Sequence, residues 1–286
     1  MTVLEAHQLL KQAQIRLNAQ EVEGARGASE AVLEKVLGQP KIEWILERQP
    51  LLPEKKVQQF WSLIERCLKH EPLQYVLEEA HFLDWAFRVS RDCLIPRPET
   101  EQLVEKIVQE LAKTSPTPIS ILDLGTGSGN IIISLALKLK RAHLVASDRS
   151  KKALNVARIN AKHLGVTDRI DFRWGENFEI VKNETFDVIV SNPPYLSEEE
   201  WRHVSEEVQQ EPKEALVAGP TGLECLEKII AHAQSYLKPE GLLALEIGST
   251  QAQRIQDRLK QLHYHSIHVF VDLAGLDRMV MARNAA

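Results

Sequence analysis

The sequence predicts a doubly wound α/β domain with an added antiparallel edge, preceded by a small helical bundle and a β-hairpin. Three observations carry that prediction. From Ile119 onward, short apolar runs alternate with amphipathic stretches of helical period. The first run, "ISILDLG", ends in the glycine-rich turn "GTGSGN". The second, "HLVASD", ends in an acid, Asp148, one strand later.

The elements follow in order. "VLEAHQLLKQAQIRL" places Val3, Ala6, Leu10, Ala13 and Leu17 near one helical face. "AVLEKVL", "IEWILER" and "KKVQQFWSLIERCLKH" repeat the habit, and Gly38-Gln39-Pro40, Gln49-Pro50 and Pro53 punctuate them. Residues 1–75 therefore read as a helical domain without a catalytic cluster, suited to packing or to substrate docking. Residues 76–98 read as a β-hairpin linker, because "HFLDWAFRVS" can form paired strands. "LIPRPETEQLVEKIVQELAK" enters a helix that Thr100 is placed to cap, with Leu103, Ile107, Val108 and Leu111 turned inward. "TSPTP" breaks the chain before the first sheet strand.

Beyond the glycine turn, "IIISLALKL" and "KKALNVARINAKHLG" are helices on either side of "HLVASD". "RIDFRW" and "FDVIVSNPP" are the third and fourth strands, and "GLECLEKIIAHAQSYL" is a long helix. "GLLALEIG" is a strand, "AQRIQDRLKQL" a helix, and "HSIHVFVDLAGLDRMVMAR" a terminal strand pair.

With 286 residues and 44% hydrophobic composition, the chain can bury a sizeable core. Its formal net charge of -5 disfavours a large nonspecific nucleic-acid surface. Cys67, Cys93 and Cys225 are far apart and form neither a metal-ligand pair nor a disulfide framework, which suits a reducing compartment. "HYHSIH" matches no zinc spacing, and His81 stands alone, so no metal is expected. No apolar run approaches a membrane span, and the start lacks a signal-like core. A cytoplasmic protein is expected.

In "LDLGTGSGN", Gly125, Gly127 and Gly129 permit a tight turn and a close ligand approach. Only Ser128 separates the last two, so the dinucleotide fingerprint does not fit, and no Gly-Lys-Ser/Thr ending makes a phosphate loop. Asp148, at a carboxyl strand end, can accept two hydrogen bonds from a ribose diol. Asp123 either positions the glycine loop or reaches a ligand's amino-acid portion. Glu176 and Asn177 can line the base end of such a site, and Trp174 and Phe178 either stack there or, the stronger reading, fill the core.

The segment "SNPPY" then acquires a setting. Asn192 leaves the fourth strand toward the same crevice, and its side-chain oxygen can accept a hydrogen bond from a planar NH2 group. The carbonyl of Pro193 can accept another, and the diproline holds the pair rigid. Tyr195 can pack on a flat amide or base. This arrangement suits methylation of a conjugated nitrogen by the sulfonium of S-adenosylmethionine, driven by orientation and electrostatics.

The segments "EPLQYVLEEAHF", "LIPRPETEQLVE", "ILDLGTGSGNIIISLA", "SDRSKKAL", "VSNPPYL" and "DLAGLDRMVMAR" resemble the HemK/PrmC family of protein-(glutamine-N5) methyltransferases. The resemblance spans residues 71–283 and extends to the helical region before them. It implies a class I Rossmann-like methyltransferase domain over residues 99–286. It also implies methyl transfer to the glutamine in the Gly-Gly-Gln segment of class-1 peptide-chain release factors, with S-adenosylhomocysteine as product. By the same resemblance, Gly125, Thr126, Gly127, Ser128 and Gly129 wrap the cofactor's methionine end. Asp148 binds its ribose, Asn177 lies near its adenine, and Asn192 also borders the cofactor. Asn192, Pro193, Pro194 and Tyr195 hold the substrate glutamine, with Asn192 and Pro193 catalytic. Glu78 stands where relatives commonly have glycine. Pro98 and Glu99 shape the entrance, and Arg97 either contacts substrate or is an exposed loop charge. A monomer with no nucleic-acid or membrane requirement is expected. A ribosomal-protein glutamine, an adenine amine, or an inactive adaptor role are the alternatives.

Overall fold

The computed structural model describes residues 4–46, 51–113 and 118–285, with the side chains of Leu4, Trp44, Ile45, Leu46 and Asn177 outside that description. Val3, the Gln49-Pro50 punctuation and most of the "TSPTP" break therefore lie outside the described residues. The chain divides into two compact units, residues 1–79 with 205–210, and residues 80–204 with 211–286. The helical unit thus runs to residue 79 rather than 75, and it includes a six-residue segment from far along the chain that no local signal marks.

The first unit contains β1 (Leu4–Glu5), α1 (Ala6–Ala19), α2 (Ala25–Leu37), α3 (Lys41–Leu46), β2 (Leu51–Leu52), α4 (Glu54–Cys67) and α5 (Leu73–Leu77). Helix α1 buries Ala6, Leu9, Leu10, Ala13 and Leu17 against Val32 and Leu33 of α2 and Phe60 and Ile64 of α4. Alternating steps of three and four make that stripe, as the sequence indicates. Arg66, near the end of α4, grips Glu71 with two hydrogen bonds of 2.9 and 2.6 Å and donates to the Tyr75 carbonyl at 3.0 Å. This fork fixes the turn into α5. Helix α5 then stops at Glu78, which adopts φ +57°. A side chain in this left-handed conformation crowds its own backbone, and glycine does not.

The second unit opens with the hairpin β3 (Glu79–Phe82) and β4 (Trp85–Arg88). Phe82 and Phe87 are fully buried and meet edge to face, 5.9 Å between ring centres. They belong to the same apolar cluster as the sheet, so the hairpin expected as a linker is part of the second unit's core. Next come α6 (Pro98–Ala112), β5 (Ser120–Leu124), α7 (Asn130–Lys138), β6 (His143–Asp148), α8 (Lys151–His163), β7 (Ile170–Trp174) and β8 (Phe186–Ser191). Then come β9 (Leu196–Ser197), α9 (Glu198–Trp201), α10 (Glu206–Gln209, within the segment of the helical unit), β10 (Val217–Gly219), α11 (Glu224–Ala233) and β11 (Leu237–Glu246). The chain ends with α12 (Ala252–Gln261), β12 (His265–Val271) and β13 (Asp277–Arg283).

Seven strands form one sheet in the order β12-β13-β11-β8-β5-β6-β7. Strands β11, β8, β5, β6 and β7 run parallel, and β13 lies antiparallel between β11 and β12. Successive residues alternate between two buried faces. Ile121, Leu144, Val188 and Leu242 join one cluster, with Leu103, Ile107 and Ile132 from the helices. Leu122, Val145, Ile189 and Leu243 join the other, with Leu226, Ile230, Ile255 and Leu259. Burial on both faces is why these strands read as continuous apolar runs rather than alternating ones. From β5 the chain winds to β6 and β7 on one flank, then returns to β8 on the other. The crevice belongs at that reversal, beyond the carboxyl ends of β5 and β8.

Replacing Glu78 by glycine is expected to raise the unfolding free energy by about 1 kcal/mol, by relieving the left-handed backbone. Urea denaturation of the full chain checks this. A loss of stability would mean that the Glu78 side chain contributes more than its backbone conformation costs.

Candidate active site

A cleft opens at the reversal, in two lobes. The larger encloses about 1020 Å³, its mouth included, and is lined by Asp148, Ser150, Gly175, Glu176, Pro193 and Pro194 among others. The smaller, about 330 Å³, lies under Ile95, Pro96 and Arg97, beside Thr100, Thr126 and Ser128. Leu94, Gly125, Gly127 and Asn192 line both, so these four residues mark the junction.

The glycine loop owes its shape to two acids. Asp123, at the penultimate position of β5, is fully buried and accepts from the Thr126 hydroxyl at 2.7 Å. Burial pushes its carboxyl up to about 7, against the opposing pull of Thr126. Asp148 accepts from the Gly127 amide at 2.9 Å on one oxygen and from the Ser150 amide at 2.8 Å on the other. Burial raises its pKa too, and these two amides oppose the rise. Gly125 (φ +74°) and Gly127 (φ +56°) face open space where a Cβ would stand, so ligand can approach the backbone. Gly129 differs. A Cβ there would lie 2.7 Å from Ile133 and 3.1 Å from Ala157, and the residue borders neither lobe. Its smallness serves helix packing rather than ligand approach.

Asn192 follows β8 directly. Its Nδ2 donates to Thr100 Oγ1 at 3.2 Å, and that hydroxyl donates to Glu246 Oε2 at 2.6 Å. Thr100 is buried in the first turn of α6, whose N-cap is Arg97, so the expected capping role is corrected. Glu246 is the last residue of β11, 1% exposed, and burial pushes its carboxyl up to about 7, opposed chiefly by the Thr100 hydroxyl. Past Asn192, the amides of Tyr195 and Leu196 donate to the Leu216 carbonyl at 3.2 and 2.9 Å. The Tyr195 carbonyl accepts from Gln251 Nε2 at 2.9 Å. Gly222 makes room for this. A Cβ on it would stand 2.6 Å from the Tyr195 carbonyl oxygen.

The structure brings Gly125, Gly127, Asp148, Asn192, Pro193 and Pro194 to the larger lobe, with Thr126 and Ser128 on the smaller. Tyr195 borders neither. Its ring packs on the apolar cluster beneath, and its hydroxyl faces Glu246 at 3.5 Å. The Asn177 side chain lies outside the described residues, and its neighbours Gly175 and Glu176 line the cleft. Phe178 is a core aromatic, stacked on Tyr236 at 4.6 Å. Trp174 is not, being 58% exposed, with Lys151 over its ring at 3.9 Å. Arg97 is no exposed loop charge either. It pairs with the buried Glu211, which also accepts from the Ile95 amide at 3.0 Å and so holds the entrance segment. Among the described residues, no group of three or more His, Cys, Asp or Glu is arranged to hold a metal.

Sequence reasoning overlooked Glu246, Glu211, Gln251, Gly222 and Asn160. The Asn160 amide donates to the carbonyls of Ser128 and Arg88 and accepts from the Arg88 amide, all within 2.9 Å, which ties the glycine loop to the hairpin. Only Glu246 carried a readable signal, a single acid closing the apolar run "GLLALE".

Because the folded-state pKa of Glu246 lies above an ordinary carboxyl's, the folded protein binds its proton more tightly than the unfolded chain does. That stabilisation is complete below about pH 4.3 and lost as pH rises through about 7. Wild type is therefore expected to gain stability over Glu246→Gln as pH falls across this window. Paired denaturation curves measure the difference, and a flat difference would remove the burial effect.

The comparisons with known proteins agree with this geometry. Residues 118–273 match a family model described as a methyltransferase domain, and residues 8–77 match one described as the PrmC N-terminal domain. A release factor glutamine methyltransferase of Enterococcus faecalis is 38% identical over 86% of this chain and 87% of its own length. Another, from Nitratidesulfovibrio vulgaris, is 37% identical over 96% and 94%. Among solved structures, a methyltransferase from Pyrococcus furiosus superposes with a TM-score of 0.51 at 18% identity, covering 70% of this chain and 89% of that one, which shows the shared fold. With a cleft at the sheet reversal and this degree of likeness along nearly its whole length, the chain belongs to the S-adenosylmethionine-dependent release factor glutamine methyltransferase family.

Proposed function

We propose that this enzyme methylates the side-chain amide nitrogen (N5) of the glutamine in the Gly-Gly-Gln segment of class-1 peptide-chain release factors. One observation carries the reading. Asn192, its carboxamide tethered through Thr100 to Glu246, stands where the two lobes of the cleft meet.

The residues present fit the cofactor. Each Asp148 oxygen accepts one backbone N–H. A carboxylate has about four acceptor positions, so capacity remains for a ribose diol. Gly125 and Gly127 put no side chain into the space beside it. When bound, S-adenosylmethionine supplies an electrophilic methyl group on a sulfonium and is left as S-adenosylhomocysteine.

The protein's part is orientation and charge. An amide nitrogen is a weak nucleophile because its lone pair is delocalised. Asn192 Oδ1 and the Pro193 carbonyl accept the two N–H hydrogens of the substrate glutamine, which turns the lone pair toward the methyl group. As the nitrogen gains positive charge, both acceptors stabilise it, and one proton then leaves to solvent. Pro193 and Pro194 keep the acceptor pair stiff. Pro194 lines the substrate's path, and Tyr195 supports the segment from below rather than stacking on the amide. No strong base and no metal enter this scheme.

The helical unit holds no such constellation among its described residues and serves to dock the release factor. The enzyme acts as a cytoplasmic monomer without a nucleic-acid or membrane partner. In support, the net charge is -5, and no described helix is long and apolar enough to cross a membrane.

Purified release factor and isotopically labelled S-adenosylmethionine, followed by mass spectrometry, are expected to place the label on the Gly-Gly-Gln glutamine. Label on nucleic acid instead would reverse the assignment. Asn192→Ala is expected to slow single-turnover transfer about 100-fold or more while cofactor binding survives. A near-wild-type rate would return the "SNPPY" segment to a structural role. Asp148→Ala is expected to weaken cofactor binding about 10-fold or more, since a charged hydrogen-bond partner is worth about 1.5–3 kcal/mol. Calorimetry on the folded variant decides this, and unchanged affinity would reject the ribose role.

A further inference from the structure

We propose that Thr100 and Glu246 are positioning residues that set which end of the Asn192 carboxamide faces the substrate. The inference rests on the proposed function, in which Asn192 Oδ1 is an acceptor for the glutamine NH2.

A primary amide has two ends of similar shape and opposite hydrogen-bonding character. Rotated by a half turn, Asn192 would present Nδ2 to the substrate. Two NH2 groups would then face each other, with no acceptor between them. Nothing in the shape of an asparagine prevents this, so the choice has to come from its partners.

Here the choice is made by counting protons. The Thr100 hydroxyl has one proton, and it is committed to Glu246 Oε2 at 2.6 Å. Toward Asn192, at 3.2 Å, the same oxygen can only accept. It therefore selects the Nδ2 end and leaves Oδ1 as the acceptor of the amide. The ionised carboxylate has no proton with which to reverse the chain. Glu246 and Thr100 are 1% exposed each, so water does not compete readily for these bonds. The two residues come from separate elements, β11 and the first turn of α6, and each is remote in sequence from Asn192.

Two substitutions break the count differently. Thr100→Val keeps the side-chain shape and removes the hydroxyl. Glu246→Met keeps approximate length and removes the acceptor, which frees the Thr100 proton to donate to Oδ1 and invert the amide. Replacing a buried charge by an apolar residue is often tolerated in folding, so the second variant guards against misfolding of the first. Thr100→Ser restores the hydroxyl but loses the methyl group, so it separates hydrogen bonding from packing.

The test is single-turnover methylation of release factor at saturating cofactor and about pH 8.5, above the raised carboxyl pKa. Melting temperature and cofactor affinity are measured alongside. Thr100→Val and Glu246→Met are expected to slow transfer about 10-fold or more, with Thr100→Ser within about three-fold of wild type and cofactor affinity unchanged. Thr100→Val added to Asn192→Ala is expected to cause little further loss, since the group it orients is gone. If Thr100→Ser is the slower of the two Thr100 variants, packing rather than proton direction explains the site and the proposal falls. It also falls if Thr100→Val is equally harmful without Asn192, or harmless while Asn192→Ala is slow. In the last case the acceptor role of Asn192 stands. If Asn192→Ala is itself fast, the acceptor reading fails, and this proposal fails with it.

Discussion

Three carboxylates at carboxyl ends of sheet strands organise the catalytic unit. Asp123 ends β5 but for one residue, Asp148 ends β6 and Glu246 ends β11. Each is largely withdrawn from water, and removing a carboxylate from water costs several kcal/mol unless donors reach it. The donors come from the loops and helix starts above the sheet. Thr126 donates to one oxygen of Asp123, the amides of Gly127 and Ser150 donate to the two oxygens of Asp148, and Thr100 donates to Glu246. Each loop is thereby held in one conformation by a group that cannot be left alone. The cleft walls inherit their rigidity from the sheet.

This arrangement supports the proposed reliance of the site on orientation. Pulling an amide's two hydrogens into place requires acceptors that do not move while the methyl group is transferred. Asn192 stands at the end of a strand whose neighbours are buried on both faces, and the diproline next to it restricts the backbone there. Below, Gln251 and Leu216 supply or receive the backbone hydrogen bonds of Tyr195. On the other side of the cleft, Glu211 binds the Ile95 amide and Arg97 together, so the entrance segment is anchored as well. The hairpin joins the same framework through Asn160, whose amide makes bonds to both Arg88 and Ser128.

The glycine loop shows how one motif divides its labour. All three adopt left-handed backbone, but Gly125 and Gly127 leave open space, whereas Gly129 lets helix α8 approach. All three look alike in "GTGSG", and only their surroundings separate them. The same holds for the two aromatics at and just beyond the end of β7. Phe178 fills the core and Trp174 lies on the surface under Lys151. Tyr195, expected against the substrate, instead points its hydroxyl toward Glu246.

By itself, the sequence determined the order of the sheet strands and the helices between them, the antiparallel terminal pair, the glycine turn after the first sheet strand, and the positions of Asp148 and Asn192 at strand ends. Those features are written in local periodicity and in short motifs, because backbone geometry repeats every two or 3.6 residues and a tight turn needs particular residues. The tertiary structure alone decided which polar residue meets which. Thr100 meets Glu246 across 146 positions, and Ile95 meets Glu211 across 116. It alone also assigned Ser205–Gln210 to the helical unit and put the hairpin's phenylalanines in the sheet's core. Thr100 read locally as a helix cap because a threonine near a helix start usually is one. Its partner is a carboxylate at the end of a distant strand, and no periodicity within α6 encodes the position of β11. Hydrogen-bond direction depends on atoms brought together by folding, so the orientation of the Asn192 amide became legible only once the three side chains stood side by side.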